Sequence, residues 1–201
     1  MGRPRRVSPR DRILDAALTT FAAHGTVGTS VQAVADAAGM SKQAVLHHFP
    51  TKERLRDGVY ELLADRFREQ LPGVATELVS RSHDRYRALI ELVLERFDEN
   101  EAPFRFLAFE LLERPDAVLA WLKAEAAPWL GLIKGVVEQS KDFKDGFDPE
   151  AHVAVLGAMM LTQSALVPRS DARWRRRMKH AVLRAMYLSS HLDPVAARRR
   201  G

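Results

Sequence analysis

The side chains best suited to chemistry in this chain lie in the segment 41–48, and that chemistry is the recognition of base pairs. Gln43 can form a pair of hydrogen bonds with adenine, and Ala44 can contact the methyl group of thymine. Lys42 can bind guanine or a phosphate group. If the segment is helical, Val45 can bury the opposite face. We therefore predict a short helix that enters a DNA major groove.

A second set of polar side chains flanks this segment and suits phosphate groups rather than bases. Hydroxyl, imidazole and ammonium groups donate hydrogen bonds to phosphate oxygens, and helix N-termini add backbone N–H groups and partial positive charge. The candidates for DNA contact are Thr29, Ser30, Ser41, His47, His48 and Lys52. No Asp or Glu lies between Gly39 and Lys52. This favours a DNA-binding surface over the alternative, which is a purely structural pair of helices.

Short helices must position these side chains, and the sequence contains the signals for them. A first helix is predicted from the cap Ser8, through an apolar stripe, to Gly25. Thr29 and Gln32 have the spacing of a capping box, which predicts a second helix. The further signals are the Gly39 turn, the Ser41 cap, the buried anchors Val45 and Phe49, and the Thr51 cap. Together they predict a helix-turn-helix followed by a longer helix.

The N-terminal segment 2–6 is rich in arginine. Arg3 and Arg5 are candidates for DNA contact, because narrow minor grooves attract extended arginine-rich segments. The alternative is a solvated tail that adds only non-specific attraction to DNA.

The rest of the sequence has the periodicity of helices, without the alternation typical of strands. Pro72 is predicted to end the fourth helix, and Pro128 to kink or split a later one. Further helices are predicted at 84–99, from Pro103, from Pro115, at 150–167 and at 171–190. We therefore predict an all-α fold of about nine helices.

Composition narrows the class of protein. The chain has 201 residues, a formal net charge of +5 and no cysteine. The charge suggests an anionic partner, and the absence of cysteine excludes disulfides and Cys-based metal sites. No apolar run approaches the roughly 20 residues of a membrane span. The first residues lack the apolar core of a signal peptide, so we expect a cytoplasmic protein.

Enzyme activity is the first competing class of function, and the sequence offers little for it. The histidines are scattered, and neither a His-Glu-x-x-His pattern nor a Gly-rich phosphate loop occurs. We therefore expect no catalysis, no cofactor and no metal site.

The residues from Ser8 to about Leu63 resemble the N-terminal domain of the TetR family of bacterial transcriptional regulators. The matching segments are 21–25, 29–30, 34–41 and 49–55. The resemblance implies a homodimer in which each subunit places its 41–48 helix in successive major grooves of a pseudo-palindromic, double-stranded operator. It also implies base contacts from 42–44 and phosphate contacts from the flanking candidates. Leu46 departs from the family, which commonly has a tyrosine there that touches the DNA backbone.

The resemblance divides the chain into a DNA-binding domain at 1–52, with a basic arm at 1–7, and an effector-binding and dimerisation domain at 53–201. It implies a regulator, most commonly a repressor, that a small molecule releases from the operator. Aromatic and methionine side chains with a few polar groups suit a hydrophobic effector. The candidate pocket residues are Phe97, Phe106, Phe109, Glu110, Trp121, Trp129, Met159 and Gln163. For each of them the alternative is an ordinary place in the core.

The last two predicted helices are the candidate dimer interface. The helix at 150–167 is apolar almost all round, so it must be covered on more than one side. With its amphipathic neighbour it can form a four-helix bundle about a two-fold axis. The candidate residues are Val155, Met159, Trp174, Met178, Val182 and Met186. The alternative is a core within one chain.

One further alternative is a helical ligand-binding or membrane-surface protein without operator specificity, because the segment 173–184 combines basic and apolar side chains. A dimer interface explains its apolar stripe better, and we expect no membrane partner. The sequence leaves open the effector, the operator, the regulated genes and the sign of regulation.

Overall fold

The computed structural model describes residues 8–80, 88, 90–95, 100–138, 148–166, 173–174, 177–178, 181–182 and 184–185. The helices with defined bounds are α1 (Pro9–Gly28), α2 (Val31–Ala38), α3 (Lys42–His48), α4 (Lys52–Ser80), α5 (Ala102–Glu113), α6 (Pro115–Glu138) and α7 (Pro149–Leu166). Residues 90–95 are also helical, and none of the described residues forms a strand. The predicted all-α fold is confirmed. The candidates outside the described residues are Arg3, Arg5, Phe97 and Met186.

Helix α1 begins at its predicted cap. The hydroxyl of Ser8 accepts a hydrogen bond of 3.1 Å from the Asp11 N–H, and the Asp11 carboxylate accepts one of 3.4 Å from the Ser8 N–H. This is a capping box, in which each residue satisfies a free donor of the other. Gly25 interrupts the helix at φ 72° and ψ 162°, as predicted, and a further turn follows to Gly28.

The start of α2 corrects one prediction. Ser30, and not Thr29, is the N-cap, because its hydroxyl accepts a hydrogen bond of 3.1 Å from the Ala33 N–H. Thr29 is buried, and Gln32 donates to Asp36 rather than closing a capping box. Both Thr29 and Ser30 carry a hydroxyl that can cap a helix, so only the packing of α1 decides which of them turns inward.

The turn between α2 and α3 forms as predicted. Gly39 has φ 65° and ψ 39°, the left-handed conformation that glycine adopts without a Cβ penalty. Its N–H donates to the carbonyl oxygens of Ala35 and Asp36. Ser41 then caps α3, accepting a hydrogen bond of 3.2 Å from the Ala44 N–H.

Two prolines lie inside continuous helices. The predicted end of α4 at Pro72 is wrong, because the helix continues to Ser80, and α6 likewise continues through Pro128. A proline inside a helix removes one backbone hydrogen bond, and the neighbouring bonds can hold the helix together. The hydroxyl of Thr76 donates to the Pro72 carbonyl oxygen at 2.9 Å.

The chain divides into two compact units. Unit 1 comprises Met1–Arg68 and Ala102–Leu119, and unit 2 comprises Glu69–Glu101 and Ala120–Gly201. The predicted domain boundary after residue 52 therefore falls inside unit 1. The first turns of α4 belong there because a Cβ atom at Gly58 would lie 2.8 Å from Phe49 Cε1. Because α4 approaches Phe49 this closely, its first turns pack as part of the same unit as the helix-turn-helix.

The core of unit 1 includes a helix from far along the sequence. Phe106 on α5 stacks on Phe21 of α1, with ring centroids 6.2 Å apart and an interplanar angle of 24°. The ring of Tyr60 on α4 meets Phe106 edge-on at 5.2 Å. Helix α5 is therefore part of the unit that carries α3.

Unit 2 has its own buried apolar side chains. Those described are Val74, Ala88, Ile90, Leu92, Leu94, Leu156, Met160 and Val182. Among the described residues, no helix has the length and apolar character needed to cross a membrane.

Candidate nucleic-acid interface

The predicted base-reading side chains of α3 come together on its outer face. Val45 is fully buried and Phe49, which ends the helix, is 5% exposed. The exposed residues of the segment are Ser41, Lys42, Gln43, His47 and His48. Ala44 and Leu46 are partly buried. An α3 anchored by Val45 and Phe49 therefore presents Lys42 and Gln43 to solvent, as groove recognition requires.

A cation from α1 helps to hold the end of α3. The guanidinium carbon of Arg10 lies 5.3 Å from the centroid of the Phe49 ring. The positive charge is attracted to the electron-rich face of the aromatic ring. Nothing in the sequence pattern marks Arg10 for this role, because the contact spans two helices and appears only in the fold.

Lys52, a candidate for phosphate contact, lies against the end of α1. Its ammonium donates to the carbonyl oxygens of Val27 at 3.4 Å and Thr29 at 3.3 Å. An ammonium group has three N–H donors, so one remains for a phosphate oxygen. Ser30 is exposed, and its hydroxyl oxygen accepts from Ala33, which leaves the hydroxyl hydrogen available to a phosphate group.

Thr29 has a different place from the one predicted. It is 3% exposed, and its hydroxyl donates to the Gly25 carbonyl oxygen at 2.7 Å. This hydroxyl stabilises the end of α1 and is not presented to a ligand. The signal for Ser30 was present in the sequence, but the adjacent hydroxyls of Thr29 and Ser30 made the two indistinguishable.

The two histidines at the end of α3 are both exposed. Their ring centroids are 5.6 Å apart and the rings meet at 75°. A neutral imidazole ring carries one N–H donor, so each of these side chains can donate a hydrogen bond. The structure thus places His47 and His48 beside the reading face, where they can donate to phosphate oxygens.

The comparisons with known proteins agree with this geometry. The profile of the bacterial regulatory proteins of the tetR family matches residues 13–59, the part of unit 1 that carries α1, α2, α3 and the first turns of α4. The chain belongs to the TetR family. It is therefore a DNA-binding transcriptional regulator.

Curated relatives extend the similarity beyond the helix-turn-helix of this TetR-family regulator. It is 29% identical over 199 residues to the HTH-type transcriptional repressor KstR2 of Rhodococcus jostii, covering 94% of this chain and 91% of that protein. It is 28% identical over 175 residues to the HTH-type transcriptional regulator RutR of Escherichia coli K12, covering 85% of this chain and 81% of that protein.

Solved structures share the fold of this TetR-family chain. The ketosteroid transcriptional regulator KstR2 of Mycobacterium tuberculosis matches with a TM-score of 0.64 at 18% identity, covering 96% of this chain and 98% of that one. The regulator FadR of Bacillus subtilis, solved in complex with stearoyl-CoA, matches with a TM-score of 0.67 at 15% identity, covering 90% of this chain and 98% of that one.

The candidate effector residues of this regulator lie in different units. Phe106 and Glu110 are buried in unit 1, and Phe109, also in unit 1, packs beside Gly25. The candidates in unit 2 are Trp121, Trp129, Met159 and Gln163. Gln163 is 7% exposed, so a polar side chain lies among the mostly buried residues of unit 2. A polar group in such surroundings can fix the orientation of an apolar ligand.

The candidate dimer residues differ in exposure within the single chain. Val155 is 52% exposed and Trp174 is 41% exposed, whereas Val182 is buried in unit 2. Met159 and Met178 are partly buried. Val182 therefore already has its partners within the chain, while Val155 and Trp174 retain apolar surface that a second subunit can cover.

No group of three or more His, Cys, Asp or Glu side chains within the described part of the chain is arranged to hold a metal ion.

Proposed function

We propose that this TetR-family regulator is a homodimeric repressor that reads a pseudo-palindromic operator with α3 and leaves it when a small hydrophobic effector binds. The observation that carries the proposal is the outward face of α3, where Lys42 and Gln43 are exposed while Val45 is buried. We further propose that it acts in the cytoplasm, by binding alone and without catalysis or a cofactor. Its relatives are named as regulators of transcription, which disfavours a ligand-binding or membrane-surface protein without operator specificity.

Base recognition is assigned to Lys42, Gln43 and Ala44. The amide of Gln43 matches the donor and acceptor pair of adenine, and the methyl group of Ala44 matches that of thymine. Phosphate contact is assigned to the flanking donors, which set the position of α3 in the groove but carry no sequence information. These are Ser30, Ser41, His47, His48 and Lys52.

Dimerisation is proposed because α3 is short. A helix of seven residues reads one half-site, and two-fold symmetry brings a second α3 to the next major groove about 34 Å away. The exposed apolar side chains Val155 and Trp174 of unit 2 are proposed to lie at the subunit interface. We accordingly assign DNA reading to unit 1 and dimerisation to unit 2.

The effector is proposed to bind in unit 2 among Trp121, Trp129, Met159 and Gln163. The aromatic and methionine side chains suit an apolar molecule, and the Gln163 carboxamide supplies one polar anchor. Two similar structures point to the same chemistry, since one is named for ketosteroids and the other was solved with stearoyl-CoA. Phe106 and Glu110 are left out because both are buried in the core of unit 1.

Selection of binding sites from random double-stranded DNA tests the reading role of α3. The full chain should enrich a two-fold symmetric site, and Gln43→Ala should relax the preference at one position per half-site by about 1–3 kcal/mol. The matched control is Gln32→Ala, which removes another exposed glutamine of the helix-turn-helix, on α2. An equal loss on every sequence in Gln43→Ala would move this residue to the phosphate contacts, and no enrichment by the wild type would reject the function.

Release by an effector is tested on the operator so selected. Stearoyl-CoA and a ketosteroid are the probes, and the fluorescence anisotropy of labelled operator reports dissociation. Gln163→Leu should leave operator affinity unchanged and raise the effector concentration needed for release. Release that is unaffected by Gln163→Leu would place the effector elsewhere.

A further inference from the structure

Glu110 on α5 is a carboxylate with no exposed surface, and three donors surround it. One oxygen accepts a hydrogen bond of 2.6 Å from the Thr26 hydroxyl. The other accepts one of 3.1 Å from the Tyr60 hydroxyl and another from the Arg114 guanidinium. A buried charge is tolerated only when it is paired and hydrogen-bonded in this way. Residues on α1, on α4 and directly after α5 therefore meet at one carboxylate.

The donors of this cluster keep their protons at neutral pH. Burial and the nearby Glu110 carboxylate raise the pKa of Tyr60, so its phenol remains a donor. Burial alone would lower the pKa of Arg114, but its hydrogen bond to Glu110 and the charge of that carboxylate raise it overall.

Thr26 lies at a sensitive place in the chain. It directly follows Gly25, where α1 departs from helical geometry, and it belongs to the segment 25–30, which we call the α1–α2 connection. Two further side chains of α5 lie against this part of α1. Arg105 donates to the Ala22 carbonyl oxygen at 3.1 Å, and the ring of Phe109 lies 3.4 Å from where a Cβ atom of Gly25 would be.

The α1–α2 connection includes one of the groups assigned to phosphate, Ser30, and contacts a second, Lys52. The Thr26 carbonyl oxygen accepts a hydrogen bond of 3.4 Å from the Thr29 N–H, and Ser30 follows as the cap of α2. The Lys52 ammonium donates to carbonyl oxygens of the same connection, those of Val27 and Thr29. A shift at Thr26 therefore moves both Ser30 and Lys52.

The geometry points to Glu110 as a positioning residue for DNA binding. From α5 it holds Thr26, and through the α1–α2 connection it sets the positions of Ser30 and Lys52. This inference rests on the proposed phosphate contacts and adds a residue that lies outside the helix-turn-helix and more than 50 positions beyond it in sequence. Its consequence is that operator affinity depends on the hydrogen bond that the Thr26 hydroxyl on α1 donates to Glu110 on α5.

A matched pair of variants separates positioning from simple stability. Thr26→Val and Tyr60→Phe each remove one hydroxyl donor to Glu110, but only Thr26 belongs to the α1–α2 connection. We expect both to lower the melting temperature. Measured well below that temperature, operator affinity should fall about tenfold in Thr26→Val and stay within about twofold of wild type in Tyr60→Phe. Thr26→Ser keeps the hydroxyl and should restore affinity.

Hydrogen exchange of the free protein supplies a readout that needs no DNA. Thr26→Val should speed amide exchange in segment 26–33, whereas Tyr60→Phe should leave that segment as in wild type. Equal exchange and equal affinity in the two variants would overturn the positioning role and leave Glu110 a purely structural carboxylate. If the wild type selects no operator, the proposed function fails instead, and a difference in exchange still shows that Glu110 holds the connection.

Discussion

The guanidinium of Arg12 donates a hydrogen bond of 2.8 Å to the carbonyl oxygen of Ala38, the last residue of α2. The first turn of α1 therefore holds the C-terminus of α2, directly before the Gly39 turn. Carbonyl groups at a helix C-terminus lack partners within the helix and carry partial negative charge, so a cation there is favourable. This hydrogen bond from α1 therefore holds the end of α2 in place directly before the turn.

Replacing Arg12 by alanine should weaken this support. We expect Arg12→Ala to lower the free energy of unfolding by about 1 kcal/mol, since the bond is charge-assisted but partly exposed. Urea denaturation gives the value. The control Arg54→Ala removes an exposed arginine of α4 and should change stability by less than about 0.5 kcal/mol. Equal losses in the two variants would contradict a specific role for Arg12.

Two glycines of α4 should respond in opposite directions to alanine. At Gly58 a Cβ atom would lie 2.8 Å from Phe49 Cε1 and 2.9 Å from Leu14 Cδ2, so Gly58→Ala should destabilise by about 1–3 kcal/mol through overpacking. At Gly73 nothing lies within 4 Å, so Gly73→Ala should stabilise by about 0.5–1 kcal/mol through helix propensity. Thermal denaturation of both variants checks the signs, and a shift of the same sign in both would refute the packing explanation.

Two glycines with positive φ among the residues that the structure describes should differ in their tolerance of asparagine. Gly39, at φ 65° and ψ 39°, has the left-handed conformation that asparagine also adopts, so Gly39→Asn should cost less than about 1 kcal/mol. Gly25, at φ 72° and ψ 162°, has a conformation essentially restricted to glycine, so Gly25→Asn should cost about 1–3 kcal/mol. Chemical denaturation of the two variants tests this order, which the reverse ranking would contradict.

The helix-turn-helix was predictable because its signals are local. Ser8, Gly39 and Ser41 act on backbone groups within four residues, and the spacing of Val45 and Phe49 defines a buried face without reference to the rest of the chain. The prediction failed by one residue at the cap of α2, where Thr29 and Ser30 offer the same hydroxyl. The choice between them depends on the bond from Thr29 to Gly25, which requires the end of α1 to be in place.

The place of α5 could not be predicted, because its partners are distant in sequence. Glu110 had the pattern of a polar anchor in an apolar pocket, but its hydrogen-bond partners Thr26 and Tyr60 lie 84 and 50 residues away. Periodicity shows which face of a helix is apolar and does not show which other helix covers it. The continuation of α4 through Pro72 is a similar case, because a propensity does not by itself end a helix.

Stability at high pH should depend on Tyr60. Burial and the Glu110 carboxylate raise the pKa of Tyr60 in the folded chain, whereas an unfolded tyrosine ionises near pH 10. The stabilisation from this group is therefore present in full below about pH 10 and is lost as the pH rises further. The difference in unfolding free energy between wild type and Tyr60→Phe should be constant from pH 7 to 9 and shrink above about pH 10. Urea denaturation across this range provides the test, and a difference that stays constant to pH 11 would exclude a raised pKa.

The salt dependence of operator binding should reveal the role of Lys52. Its ammonium is held by the carbonyl oxygens of Val27 and Thr29, which places it beside Ser30 at the N-terminus of α2. If Lys52 binds a phosphate group, it displaces the counterion of that phosphate in the wild type. In Lys52→Gln the phosphate keeps its counterion, so fewer counterions are released on binding. The slope of log affinity against log salt should fall in magnitude by about 0.9 for each phosphate group that Lys52 neutralises, with no change in base preference. The matched control is Lys123→Gln, which makes the same charge change at an exposed position of unit 2. A smaller slope in both variants would mean that only the net charge matters, and an unchanged slope in Lys52→Gln would confine Lys52 to holding the α1–α2 connection.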